Sequence, residues 1–361
     1  MTGCCFHVTF DRLHRGSLRR LTSSSSLGSS KHGRKICKGP LVVCFGEMMI
    51  NLVPTIDGVS LSDAEAYKKS PAGATAIVSV AISRLGGSSA FIGKVGNDEF
   101  GHMLSDILKQ NGVDNSGLLF DEHARTALAF HSLKNSDDGK PEFMFYRNPS
   151  ADILFRSEEI DKSLIKKATI FHYGSVSLIK EPSRSTHIEA INYAKMCGSI
   201  LSYAPNLTVP LWPSTEAARE GIMSIWNYAD VIKVSVEEIR ILTEGNDPYD
   251  DKMIMKKLFH HNLKLLLVTE GIKGCRYYTK DFKGWVYGFE VEAIDTTGAG
   301  DSFVGGFLSI LSAHKHIYKD EKILREALDF ANACGAATVT GRGAIPSLPT
   351  KSSVLRVMLT Y

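Results

Sequence analysis

Short apolar runs alternate with longer amphipathic stretches along most of this chain. Leu41-Val42-Val43-Cys44-Phe45 ends at Gly46, the pattern of a strand buried on both faces and entering a loop. Ala74 to Leu85 carries apolar residues on one side and stops at Gly86-Gly87, which predicts a helix. Ala90 to Gly93 predicts a strand, and Glu99 to Gln110 an amphipathic helix closed by Asn111-Gly112. The rhythm resumes with strands at Thr169–Tyr173, Ser199–Tyr203, Val231–Val234 and Leu263–Val268. Helices are predicted between them around Arg184–Met196, Thr215–Asn227 and Glu237–Leu242. Strand–helix alternation of this kind argues for an α/β fold, a mostly parallel sheet with helices on both faces. Two stretches break the rhythm as antiparallel hairpins. Ala127–Leu133 and Glu142–Tyr146 flank the turn cluster Asn135–Gly139, and Arg276–Thr279 precedes Gly284–Val291. The first hairpin sits between α/β units, where an insertion would project over the sheet.

The first 38 residues have a different texture. They combine Ser23–Ser26, Ser29 and Ser30 with eight Lys/Arg and one acid, Asp11, and show no hydrophobic period. A secretory signal needs a continuous apolar core, which is missing; Ser- and Arg-rich, acid-poor composition suits an organelle transit peptide, here of a plastid. A tail without an address, on a cytosolic protein, is the plainer alternative. Either way the folded part begins near residue 39. The whole chain of 361 residues carries a net charge of +3; since the leader accounts for +7, the remainder is mildly acidic and offers no electrostatic footprint for nucleic acid. No apolar run approaches a bilayer span. Seven scattered cysteines without a CxxC pair point to free, inert thiols rather than a disulfide framework or zinc site.

Chemistry concentrates in Asp295-Thr296-Thr297-Gly298-Ala299-Gly300-Asp301. A β-like segment, Gly288–Ile294, runs into a small-residue turn and then an apolar helix. Amides of Gly298, Ala299 and Gly300 at a helix N-terminus lack internal acceptors and favour an anion. Asp301 beside them reads either as the helix N-cap or as a general base that deprotonates a hydroxyl while the amides hold a migrating phosphoryl group. A second glycine turn, Thr269-Glu270-Gly271-Ile272-Lys273-Gly274, follows a strand end, where nucleotides lie in open α/β sheets; it also reads as an ordinary hairpin turn. The Walker loop, the protein-kinase HRD and DFG sets, the dinucleotide fingerprint and HExxH are absent. His260-His261 reads as a solvated helix end.

These residues carry a resemblance. From about Leu41 to Val357 the chain resembles the pfkB carbohydrate kinases, within them the plant fructokinases. Asp295–Asp301 matches the family's D-T-x-G-A-G-D signature at every fixed position. Gly46-Glu47-Met48, Arg84-Leu85-Gly86-Gly87, Gly93-Lys94-Val95-Gly96, Phe145–Asp152 and Phe171–Ser175 are similar to fructokinase blocks in order and spacing. The resemblance implies a ribokinase-like three-layer α/β/α sandwich with a small β lid from Thr55–Tyr67 and the Ala127–Tyr146 hairpin. It implies ATP-dependent phosphorylation of a sugar hydroxyl, the 6-hydroxyl of fructose in fructokinases, with Asp301 as base and Gly298, Ala299 and Gly300 as anion hole. Thr269, Gly271 and Gly274 would lie near the nucleotide, with Asn332 beside them. Glu238 would organise Mg²⁺, Asp295 and Thr297 a monovalent cation such as K⁺, and Gly73 would face the sugar. Lid strands in this family pair between subunits, which allows a homodimer.

Three departures fall on what the resemblance makes the sugar side. Asn51 stands where fructokinases have Asp, Ile77 replaces the Asn of G-G-x-x-x-N, and Tyr203-Ala204-Pro205-Asn206-Leu207-Thr208 replaces Y-D-P-N-x-R. A hydrogen bond to a charged group contributes about 1.5–3 kcal/mol, so two or three lost contacts cost roughly 3–6 kcal/mol, on the order of 10²- to 10⁴-fold in kcat/KM. Two functions follow: a fructokinase-type enzyme of reduced efficiency or shifted substrate, or a catalytically impaired fructokinase-like module with protein partners in plastids.

Overall fold

The computed structural model describes residues 39–56, 58–132 and 142–360. The leader (residues 1–38) and the Asn135–Gly139 turn lie outside the described residues. The chain runs β1 (Leu41–Phe45), β2 (Met49–Pro54), β3 (Tyr67–Ala72), α1 (Ala74–Arg84), β4 (Ser88–Gly96), α2 (Glu99–Gln110), β5 (Asp114–Asp121), β6 (Leu128–His131) and β7 (Phe143–Tyr146). It continues with α3 (Lys162–Ile165), β8 (Ala168–Tyr173), α4 (Ser183–Met196), β9 (Ile200–Tyr203), α5 (Thr215–Ser224), β10 (Val231–Ser235), α6 (Val236–Leu242), α7 (Asp251–Lys257) and β11 (Leu265–Thr269). It closes with β12 (Gly274–Tyr278), β13 (Lys283–Tyr287), α8 (Ala299–Ala313), α9 (Glu321–Val339), α10 (Ala344–Ser347) and α11 (Lys351–Thr360).

Among the described residues the main sheet has nine strands in the order β13-β12-β11-β10-β9-β8-β1-β4-β5. All pairs from β5 to β11 are parallel; β12 and β13 add an antiparallel edge. Because side chains alternate along a strand, Val42 and Cys44 of β1 face one layer and Val43 and Phe45 the other. The first pair packs with Ile77 of α1, Leu104 of α2, Phe303 of α8 and Ala331 of α9. The second packs with Ile165, Ile191, Ile222, Ile239 and Ile254 of α3–α7. Three layers result, as the strand–helix rhythm predicts. Local signals set the boundaries: Asp98 caps α2 by accepting from the amides of Phe100 and Gly101. Among the described residues no helix is long and apolar enough to cross a membrane.

A second, four-stranded sheet in the order β3-β2-β6-β7 forms the lid. The expected lid was displaced by one element: Thr55–Ala66 is a turn-rich connection, and the strands are β2 and β3 on either side of it. The reason is pairing, since Met49–Pro54 finds both β3 and β6 as neighbours. Gly288–Ile294, read as β-like, forms no strand. It is tied instead to the end of α9, where the amides of Ile294 and Asp295 both donate to the Val339 carbonyl. Of the pair read as a solvated helix end, His260 is half-buried and His261 exposed, both in the segment beyond α7.

Candidate active site

Parallel pairing brings the C-terminal ends of β1, β9, β10 and β11 to one edge of the sheet. Glu47 follows β1, Ala204–Thr208 follows β9, Glu238 opens α6 after β10, and Thr269 ends β11. α8 starts at Ala299, with Gly298 as its N-cap at φ 82°. A Cβ at Gly298 would lie 2.8 Å from the Ala344 Cβ, so both the left-handed backbone and the packing demand glycine. Asp301 is therefore the third helical residue rather than the N-cap. The Ala299 amide donates to the Thr296 carbonyl at 3.2 Å. Of the expected anion-hole residues, Ala299 thus has its amide engaged, and among the described residues no backbone acceptor takes the amide of Gly298, Gly300 or Asp301.

Burial pushes the Asp301 carboxyl up to about 7, with Lys233 opposing and Glu238 reinforcing the shift. Lys233, a cation inside the otherwise apolar strand β10, approaches this turn closely: its Nζ lies 3.3 Å from where a Gly300 Cβ would stand and 4.0 Å from Glu238 Oε2. That lone lysine between Ile232 and Val234 was the signal available in the sequence, and the motif reading missed it.

Glu238 is buried and forms a capping box with Ser235, accepting from the Ser235 amide at 2.6 Å and the Leu207 amide at 2.9 Å. Each carboxylate oxygen keeps an acceptor position beyond these bonds, so the group fits a hydrated divalent ion brought with a phosphate ligand. Among the described residues no three His, Cys, Asp or Glu side chains converge on a metal position. Asp295 accepts from the Thr297 amide at 2.9 Å and the Gly343 amide at 2.8 Å. Burial raises its pKa, but these bonds outweigh burial and hold it below its ordinary value, so it is an anionic oxygen donor suited to a cation. Thr269 bonds to the Val234 carbonyl, and Gly271 and Gly274 flank the turn into the antiparallel β12; as backbone, this is the hairpin turn. Both amide hydrogens of Asn332 are spent on the Val286 and Tyr287 carbonyls, which makes it a clamp between α9 and β13.

Two cavities open under the lid. One of about 480 Å³ is lined by Asn51, Lys68, Ile77, His131, Asp295, Thr297 and Arg342; the other, about 330 Å³, by Glu47, Gly73, Phe145, Asn206 and Thr208, with Asn51 and His131 shared. The three departures thus separate. The buried Ile77 faces the first cavity, Thr208 the second, Asn51 both, and Ala204 neither. Burial pushes Glu47 up to about 7, with the Arg147–Asp152 ion pair nearby.

The family model for "pfkB family carbohydrate kinase" matches residues 40–351. The chain belongs to the pfkB carbohydrate kinases. Among its pfkB relatives, "Probable fructokinase-7" of Arabidopsis thaliana is 64% identical over 314 residues, 87% of this chain and 91% of that protein. "Probable fructokinase-6, chloroplastic" of the same plant is 60% identical over 353 residues, 95% of this chain and 91% of that protein. The crystal structure of fructokinase with bound ATP from Xylella fastidiosa superposes with a TM-score of 0.78 at 33% identity, covering 88% of this chain and 98% of that one. Fructokinase from Vibrio cholerae in its fructose-, ADP- and calcium-bound form gives 0.77 at 32%, covering 88% and 98%. The pfkB assignment and the ribokinase-like α/β/α architecture expected from the signature are thereby established.

Proposed function

We propose that this chain transfers the terminal phosphoryl group of ATP to the 6-hydroxyl of D-fructose or a related sugar. Asp301 takes the hydroxyl proton, the freed oxygen bonds to the terminal phosphorus, and the bond from that phosphorus to ADP breaks. The amides of Gly298, Gly300 and Asp301 hold the charge on the migrating group, with Lys233 beside them. Glu238 would hold a Mg²⁺ brought with ATP, which would supply neutralisation of phosphate charge; Asp295 and Thr297 would hold a monovalent cation behind the turn. Thr269, Gly271 and Gly274 border the nucleotide, and Asn332 fixes the strand edge next to it. Gly73 and the two lid cavities receive the sugar.

The observation that carries this reading is a carboxyl poised near neutrality on a helix N-terminus whose amides await an anion. Support for fructose comes from the relatives named fructokinase and from the neighbour solved with fructose and ADP. A coupled assay of the full chain with ATP and a sugar panel tests it: Asp301→Asn should lose about 10²- to 10⁴-fold in kcat. An unchanged rate in that variant would refute the assignment.

Ile77 supports a second reading, a catalytically impaired plastid module, because it presents hydrocarbon to the first cavity where family enzymes present an amide. A plastid address draws support from the relative named chloroplastic, whose similarity covers 95% of this chain and so reaches into the leader. Exposed Phe143, Met144 and Tyr146 on the lid-edge strand favour pairing of two lids in a homodimer.

A further inference from the structure

Asn51 lies on β2, and His131 ends β6, the strand that pairs parallel to β2. The ring Nδ1 is 2.8 Å from the Asn51 amide oxygen, so Nδ1 carries the proton and donates. The opposite ring nitrogen, Nε2, is then a lone-pair acceptor. The ring lines both cavities and stacks on Phe143 with centroids 6.1 Å apart, which restricts its rotation. Lys68, Asp295 and Arg342 face it across the first cavity and Glu47 across the second. Burial holds the imidazole below its ordinary pKa, against the pull of Asp295, so the neutral ring prevails at neutral pH. The ring thus takes one of the two acceptor positions of the Asn51 oxygen and fixes that amide beside it.

We propose that His131 Nε2, rather than residue 51, receives the lid-side sugar hydroxyl, and that the Asn51 amide serves to orient the ring. This rests on the sugar-kinase reading above and moves the specificity-determining group from β2 to the end of β6. A carboxylate can receive two neighbouring hydroxyls, whereas a neutral imidazole receives one. The pocket therefore fits a ketose held by a single lid-side hydroxyl, with relaxed discrimination at the adjacent carbon.

Equilibrium binding of D-fructose and its epimeric ketohexoses to the full chain, with ATP affinity and melting temperature recorded alongside, tests the proposal. His131→Val should weaken sugar binding about tenfold while leaving ATP affinity unchanged. Asn51→Ala, which keeps Nε2, should cost less than about threefold. His131→Gln, which retains a side-chain acceptor, should bind more tightly than His131→Val. A larger loss in Asn51→Ala than in His131→Val, unchanged or tighter binding in His131→Val, or no sugar binding by the unsubstituted chain overturns it. Failure of the kinase reading is seen separately, as sugar that binds and responds to His131 yet is never phosphorylated.

Discussion

Asp301 should make catalysis and stability respond to pH in opposite directions. Its carboxyl is held at about 7 against an ordinary 3.8, chiefly by burial. A base must be ionised to work, so about a tenth of the enzyme is competent near pH 6 and about nine-tenths near pH 8. kcat/KM for the sugar should therefore rise roughly tenfold per pH unit below about 6.5 and level off above about 7.5. Between about pH 4 and 7 the folded state keeps a proton that the unfolded chain has released, so stability falls as pH rises through that window. The shift of about three units corresponds to an upper bound of about 4 kcal/mol at 1.36 kcal/mol per unit, and partial exposure reduces it to about 1–3 kcal/mol. Asp301→Asn should accordingly melt higher than the parent above pH 7, match it below pH 4, and lose turnover at every pH. The assays are a coupled ADP-release profile and thermal melts across the same buffers. A flat kcat/KM between pH 5.5 and 8, or an Asn variant destabilised at pH 8, would show that this carboxylate is neither poised nor strained by its surroundings.

Other expectations follow from single positions. Ile77→Asn restores an amide to the first cavity and should lower the fructose KM by about 5- to 30-fold; because Ile77 is only 5% exposed, the same change should cost about 1–3 kcal/mol in denaturant unfolding. Gly298→Ala places a methyl group 2.8 Å from Ala344 on a backbone at φ 82°, so a loss of about 1–3 kcal/mol together with a fall in kcat is expected by melting and steady-state rates. His187, packed on Phe45 and Tyr173 with both ring nitrogens buried and unpartnered, is pushed down to about 3 by burial. A depressed folded pKa means stability is intact above about 6.5 and drains as pH falls toward 3, so His187→Phe should flatten the acid limb of the stability profile.

Much of the architecture is readable without coordinates because buried parallel strands and their helices leave one-dimensional traces. Leu41–Phe45 is apolar at every position since both faces are covered, and Asn111-Gly112 closes α2 by chemistry that acts within a turn. The Asp295–Asp301 signature likewise exposes the glycine turn that opens α8, because small residues and a carboxylate at a helix start are a local pattern. Other features depended on partners distant in sequence. The lid strands β2 and β3 surround the segment Thr55–Ala66, and only pairing with β6 shows that Met49–Pro54 belongs to the lid. Gly288–Ile294 has the composition of a strand, yet it pairs with none, and its last amide, that of Ile294, is taken by the end of α9. Asp301 reads alone as a cap or a base; the αL Gly298 takes the cap position, and burial raises the carboxyl toward neutrality against the pull of Lys233. Residue 51 reads only as an Asn where fructokinases have Asp, until His131, eighty residues away, is seen to take one acceptor position of its oxygen. Local sequence can specify secondary structure and a motif, but which side chain confronts a ligand is settled by neighbours that only the fold brings together.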